Sequence, residues 1–155
     1  MKYWLFKTEP DVFSIEDLER EKISFWEGVR NYQARNYLRD EVKPSDLVLF
    51  YHSNASPPGV IGIAEIVAAG IPDPHQFDPN SKYYDPKAPK DIPRWYGVKL
   101  RLHTKFETLI SLDMLKSLEG LESMIVIKRG SRLSIQPVTK KEFEIVQKLG
   151  LGRKN

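Results

Sequence analysis

Asp46-Leu-Val-Leu-Phe-Tyr-His52 is the stretch whose reading decides the fold class. It is nearly continuous in apolar residues, the pattern of a strand buried on both faces. Ser53 to Gly59, with Asn54, Pro57 and Pro58, is a loop by composition, and Val60 to Ala69 forms the next strand. The two read as a hairpin with a wide connection. Upstream, Lys2 to Lys7 is a strand of bulky aromatics ended by Thr8-Glu9-Pro10. Ser14 caps a short helix over Ile15 to Arg20, with Glu16 and Asp17 in the first turn where the helix dipole favours acids. Ile23 to Trp26 is short and apolar, and Glu27-Gly28 turns the chain. Asn31 reads as the N-cap of a helix through about Asp40, broken by Lys43-Pro44-Ser45-Asp46.

Downstream, residues 70–93 hold six of the chain's 11 prolines and show no periodicity. Compact domains rarely keep idle loops of that length, so the segment is disordered or functional. Its aromatics Phe77, Tyr83 and Tyr84 argue for order. Trp95 to Lys105 alternates as a strand with one wet face. Ser111 caps a helix carrying Leu112, Leu115 and Leu118, while Met124 to Ile127 is ambiguous between strand and helix. Leu133 to Val138 is a strand that Pro137 confines to an edge. Thr139 and Glu142 form a capping box for a last helix that stops at Gly150. Strands and short helices without regular βα alternation predict an α+β fold with a barrel-like sheet.

The chain's 155 residues fit about one domain, long enough to bury a core without staples. With 41% hydrophobic and 29% charged residues the composition is that of a soluble globular protein. No apolar run approaches a membrane span, and Glu9-Pro10 follows the first residues too closely for a signal peptide, so an intracellular location without membrane association is expected. There are 0 cysteines, which removes disulfides, thiol nucleophiles and cysteine-ligated zinc, and the 3 histidines lie far apart, so neither a metal nor another cofactor is expected. Net charge is +3, and residues 101–155 carry 11 basic against 6 acidic side chains, densest at Lys128-Arg129-Gly130-Ser131-Arg132. Such a patch suits phosphate or simply a solvated surface.

Catalytic motifs are absent: there is no nucleophile elbow, P-loop or zinc-protease helix, and Gly59-Val-Ile-Gly62 lacks the third glycine of a dinucleotide fingerprint. His52 and Ser53, adjacent on a strand, point to opposite faces and do not meet. No catalytic residue is assigned. Binding features are better represented. Trp26, Tyr32, Tyr51, Tyr83, Tyr84 and Trp95 lie at strand ends or in loops, where an aromatic stacks on a planar ligand or simply closes the core; base stacking is worth about 1–3 kcal/mol. Asn31, Ser53 and Asn54 offer short polar groups for a base edge, or serve as an N-cap and turn formers. Arg30, Arg129 and Arg132 suit phosphate, or are ordinary surface arginines.

Four blocks carry a family resemblance: Trp26-Glu-Gly-Val-Arg-Asn-Tyr-Gln-Ala-Arg-Asn36, Leu49-Phe-Tyr-His-Ser-Asn54, Gly62-Ile-Ala-Glu-Ile66 and Arg132-Leu-Ser-Ile-Gln-Pro-Val138. In order and over nearly the whole chain, they resemble the signature blocks of the EVE domain. The resemblance implies one EVE domain over residues 1–155 with an ordered proline-rich loop at 70–93. It also implies a PUA-like fold, a bent β-barrel decorated by short helices and related to YTH and ASCH domains. The implied function is a nucleic-acid reader, of DNA or RNA, that holds a modified base in an aromatic-lined pocket. The alternative is a small nucleotide-processing hydrolase of the ASCH type. By the resemblance Trp26 is a cage tryptophan, Lys7 and Thr8 form the pocket's edge, and Ser53 and Asn54 line it from the opposite strand. Tyr83 and Trp95 complete the pocket, and by the reading of the residues themselves Arg30, Arg129 and Arg132 are expected to take phosphate. A monomer is the expectation, in the cytoplasm of a bacterium or the nucleus of a eukaryote.

Overall fold

The computed structural model describes residues 1–89 and 91–152. Residues 153–155 of the expected domain, and Lys90 of the expected 70–93 loop, lie outside the described residues. The chain runs β1 (Tyr3–Thr8), α1 (Ile15–Glu21), β2 (Ile23–Trp26), α2 (Tyr32–Asn36), β3 (Leu47–His52), β4 (Gly59–Pro72), β5 (Tyr96–Ser111), α3 (Leu112–Ser117), β6 (Ile135–Val138) and α4 (Lys140–Gly150). A π-helical turn over Tyr37–Glu41 extends α2, and 3-10 turns cover Pro74–Phe77 and Ile125–Ile127.

The six strands form one mixed sheet in the order β2-β5-β4-β3-β1-β6. β1 and β3 pair in parallel from Tyr3↔Leu47 to Thr8↔His52, and the other neighbours are antiparallel. Period-2 alternation sends Trp4, Phe6, Val48 and Phe50 to one core, with α1 and α2, and Leu5, Leu49 and Tyr51 to a second core, with α3 and α4. That double burial is why the sequence of β3 is an apolar run. Asp46, buried just before β3, fixes the register: its carboxylate accepts from Trp4 Nε1 at 2.9 Å, Lys43 N at 3.0 Å and Lys2 N at 3.0 Å.

The α+β class stands, but the sheet does not close into a barrel. β2 and β6 are its two edges and, among the described residues, do not pair with each other. Each has only 4 residues, and Pro137 removes one donor from β6, so neither offers a ladder long enough for closure. Four register shifts between β4 and β5 add local bending and twist to the long central strands. No helix of the described residues is long and apolar enough to cross a membrane.

Candidate functional site

A cavity of about 310 Å³ opens where the β1, β2 and β6 ends converge. Lys7 and Thr8 come from the end of β1, Val12 and Phe13 from the turn after it, and Phe25 and Trp26 from β2. The segment Glu27–Arg30, Ser134 just before β6, and Tyr83 complete the lining. Trp26 belongs to both core and cavity. Its ring contacts Phe6 at 5.3 Å, Phe50 edge-on at 5.8 Å and Phe13 edge-on at 6.3 Å, which leaves 9% of the residue exposed. Phe13 is held by a tight turn: its N–H and that of Val12 both donate to Glu9 O at 2.9 Å, and Thr8 Oγ1 donates to Phe13 O at 3.0 Å. Lys7 N donates to Ser134 O at 2.8 Å and Lys7 Nζ to Ser131 O at 3.2 Å, tying the basic 128–134 segment to the cavity's edge. Burial pulls the Lys7 pKa below that of a free lysine.

The opposite wall is carried by the segment between β4 and β5. Asp73 is fully buried; its Oδ2 accepts from Gly28 N at 2.9 Å and Arg30 Nη1 at 3.0 Å, and its Oδ1 from His75 N at 2.9 Å. Arg30 also donates to Tyr83 O from Nε at 3.1 Å and from Nη2 at 2.7 Å, and to Val29 O at 2.9 Å. Its guanidinium lies between the rings of Tyr83 and Trp95, 5.5 and 5.4 Å from their centroids. Gln76, also fully buried, uses its whole amide: Nε2 donates to Asp73 O and Trp95 O, and Oε1 accepts from Arg94 N and Trp95 N. Trp95 Nε1 donates to Asp85 Oδ2 at 2.7 Å, the main cause of a lowered Asp85 pKa. These bonds hold Tyr83 against Gly28, which sits at φ +79 with its missing Cβ position only 2.5 Å from the Tyr83 ring.

Of the residues expected in the base pocket, Lys7, Thr8, Trp26 and Tyr83 line this one cavity, and so does Arg30, which was expected to bind phosphate. The others lie outside its lining. Asn31 caps α2, its Oδ1 accepting from Ala34 N at 3.0 Å, because the first turn of a helix needs that acceptor. Ser53 and Asn54 lie behind the Glu9–Phe13 turn, with Ser53 N bonded to Thr8 O and Asn54 Nδ2 to Glu9 Oε1. Trp95 is buried behind Arg30 and stacks on Tyr32 at 5.0 Å, bracing the wall rather than forming it. Arg30 is mostly engaged within the protein. Arg129 and Arg132 are exposed on the 128–134 segment outside the lining, with no ion pair among the described residues.

Sequence reasoning missed Phe13, Glu27, Asp73 and Gln76. Only Asp73-Pro74 carried a readable signal, an Asp N-cap before a proline in the first turn. His52, weighed beside Ser53 for catalysis, has its Nε2 accepting from the Ile15 N–H at 3.2 Å. Among the described residues no cluster of three or more potential metal ligands occurs.

The EVE domain family model matches residues 2–149. The chain is 40% identical to thymocyte nuclear protein 1 of Rattus norvegicus, over 95% of this chain and 73% of that protein. A crystal structure of a protein from Pseudomonas putida superposes with TM-score 0.92 at 44% identity, covering 96% of this chain and 99% of that one. The human thymocyte nuclear protein, crystallised in complex with DNA containing 5-methylcytosine, superposes with TM-score 0.89 at 39% identity, covering 97% of this chain and 98% of that one.

Proposed function

This chain belongs to the EVE domain family, and from that premise we propose that it is a reader of nucleic acid, binding without turnover, that takes one modified base into the cavity beside Trp26. The observation that carries the reading is the cavity itself. At about 310 Å³ it lies at the small end of ligand sites, which suits one base and not a duplex. The base therefore comes from a single strand or is extruded from a stack. Trp26, Phe13, Phe25 and Tyr83 supply apolar and stacking surface, Lys7 supplies a cation at the edge, and Arg129 and Arg132 stand on the adjoining segment for backbone phosphate. The human relative's DNA ligand supports 5-methylcytosine as the base. We read the open, bulged sheet as a PUA-like one and expect the protein to work where its nucleic acid is, in a nucleus or a bacterial cytoplasm.

One buried methyl adds about 0.8 kcal/mol, roughly a four-fold preference. The test is fluorescence anisotropy with single-stranded oligonucleotides that differ only in one 5-methylcytosine or cytosine. The methylated strand is expected to bind about four times more tightly, with affinity falling as salt rises. Replacing Arg129 and Arg132 together by Ala is expected to flatten the salt slope by about two units and leave the methyl preference intact. Equal affinity for the two strands would refute the reading.

A further inference from the structure

Thymine is 5-methyluracil. It carries the same methyl group as 5-methylcytosine on a ring of the same size, so aromatic walls and apolar packing treat the two alike. They differ at position 4, an amino donor in cytosine and a carbonyl acceptor in thymine, and at N3, a lone pair in cytosine and an N–H in thymine. A cavity that reads only the methyl would fill with thymine in any DNA. Selectivity needs a group beside position 4 that accepts and cannot donate.

The lining contains one side chain of that kind. Lys7 and Arg30 only donate, Thr8 and Ser134 do either, and Glu27, directly after Trp26, supplies the carboxylate. Glu27 is also held in place. His75 Nε2 lies 2.7 Å from Glu27 Oε2, His75 Nδ1 lies 3.0 Å from Ser81 Oγ, and Tyr83 N donates to Ser81 Oγ at 3.1 Å. A carboxylate cannot donate, so Nε2 carries the hydrogen facing it, and Nδ1 shares the second hydrogen bond with the Ser81 hydroxyl. A continuous chain of hydrogen bonds thus runs from the Tyr83 wall to Oε2. Oε1 has no hydrogen-bond partner among the described residues.

We propose that Glu27 is the specificity-determining residue of the cavity, its Oε1 accepting from the exocyclic 4-amino group of cytosine and thereby excluding thymine. This rests on the reader function proposed above. A thymine in the same pose sets its O4 against the carboxylate, acceptor to acceptor, so the group works by repulsion as much as by attraction.

Four single-stranded oligonucleotides, identical except for 5-methylcytosine, cytosine, thymine or uracil at one position, separate the two contrasts. The methyl contrast compares 5-methylcytosine with cytosine and thymine with uracil. The amine contrast compares 5-methylcytosine with thymine and cytosine with uracil. The unaltered protein is expected to show both, the amine contrast at about ten-fold or more. In Glu27→Gln the amide turns to donate to O4, and in Glu27→Ala nothing accepts; both are expected to lose most of the amine contrast and keep the methyl contrast. If the unaltered protein shows the methyl contrast yet binds thymine as tightly as 5-methylcytosine, the Glu27 assignment is overturned and the reader function stands. The same holds if the amine contrast survives in both variants. Loss of the methyl contrast in the unaltered protein overturns the reader function, and this assignment with it.

Discussion

Replacing Asp73 by Ala tests whether the loop-borne wall is held as the structure indicates. The change removes the acceptor for the N–H groups of Gly28 and His75 and the counter-charge of Arg30. Breaking a buried ion pair by removing one partner costs about 3–5 kcal/mol, and an orphaned buried N–H about 1–3 kcal/mol. The terms overlap, because the loop relaxes once the pair is broken. The Arg30 side chain keeps 23% exposure and its bonds to Tyr83 O and Val29 O, which places the expected loss near the low end, about 3 kcal/mol. For a chain of this size that lowers the melting temperature by about 6–12 °C. Urea and thermal unfolding followed by circular dichroism measure it. With Gly28 and Arg30 no longer tied to the loop through Asp73, Tyr83 is held less firmly over the cavity, so binding of a 5-methylcytosine oligonucleotide by the folded fraction is expected to weaken as well. A loss under about 1 kcal/mol with binding unchanged would refute the view that Asp73 anchors this wall.

Gly28→Ala combines a left-handed φ of +79 with a Cβ set into the Tyr83 ring, so it is expected to cost about 1–3 kcal/mol and to weaken binding by displacing Tyr83; thermal melting and the same anisotropy titration check both. His52 supplies a pH dependence: burial lowers its pKa from the ordinary 6.5, partly opposed by the nearby Glu16 carboxylate, so the unfolded chain binds the proton more readily than the folded one. Its contribution to stability is therefore full above pH 6.5 and lost as pH falls from there through the lowered native value, and His52→Gln is expected to flatten the slope of stability against pH in that window.

Much of the fold was legible because local signals and burial agree. The apolar run of β3, the Ser14 and Thr139 capping boxes and the Ser111 cap all report their own element without reference to the rest of the chain. Pro137 marked an edge strand, and β6 is one. The second half of β5 was not legible: Phe106 to Ser111 follows the expected end at Lys105, and its residues are sorted by β4 and the covering helices, not by their own pattern. Closure of the sheet was equally invisible, since it depends on whether β2 and β6 reach each other. The candidate site divides in the same way. Trp26, Lys7 and Thr8 stand at strand ends and could be placed from sequence, whereas Asp73, Gln76 and Asp85 act through long-range bonds inside an aperiodic stretch. Three of their partners, Gly28, Arg30 and Trp95, lie 10 to 45 positions away.

Core tryptophan and cage tryptophan are competing readings of Trp26 in the sequence, and in the structure the residue packs into the core and also lines the cavity. The contacts to Phe6 and Phe50 continue the β1–β3 core up to the cavity, so the floor is as rigid as the sheet. Truncating Trp26 would thus cost the stability of a large core substitution, about 3–5 kcal/mol, before any ligand is added, and a lost affinity in that variant would say little about stacking. The other wall is different in kind. Tyr83 and His75 belong to a segment with little regular structure, joined to the body through buried polar bonds, and they meet the cavity at Gly28 and Glu27. Sites built on strands are set more exactly than sites built on loops. On the proposed reading, the strand-borne wall fixes where the ring of a base lies, and the loop-borne wall is where one base is told from another. On that reading, substitutions at Tyr83 and Glu27 are expected to change recognition while the sheet stays intact, and truncation of Trp26 is expected to disturb both at once.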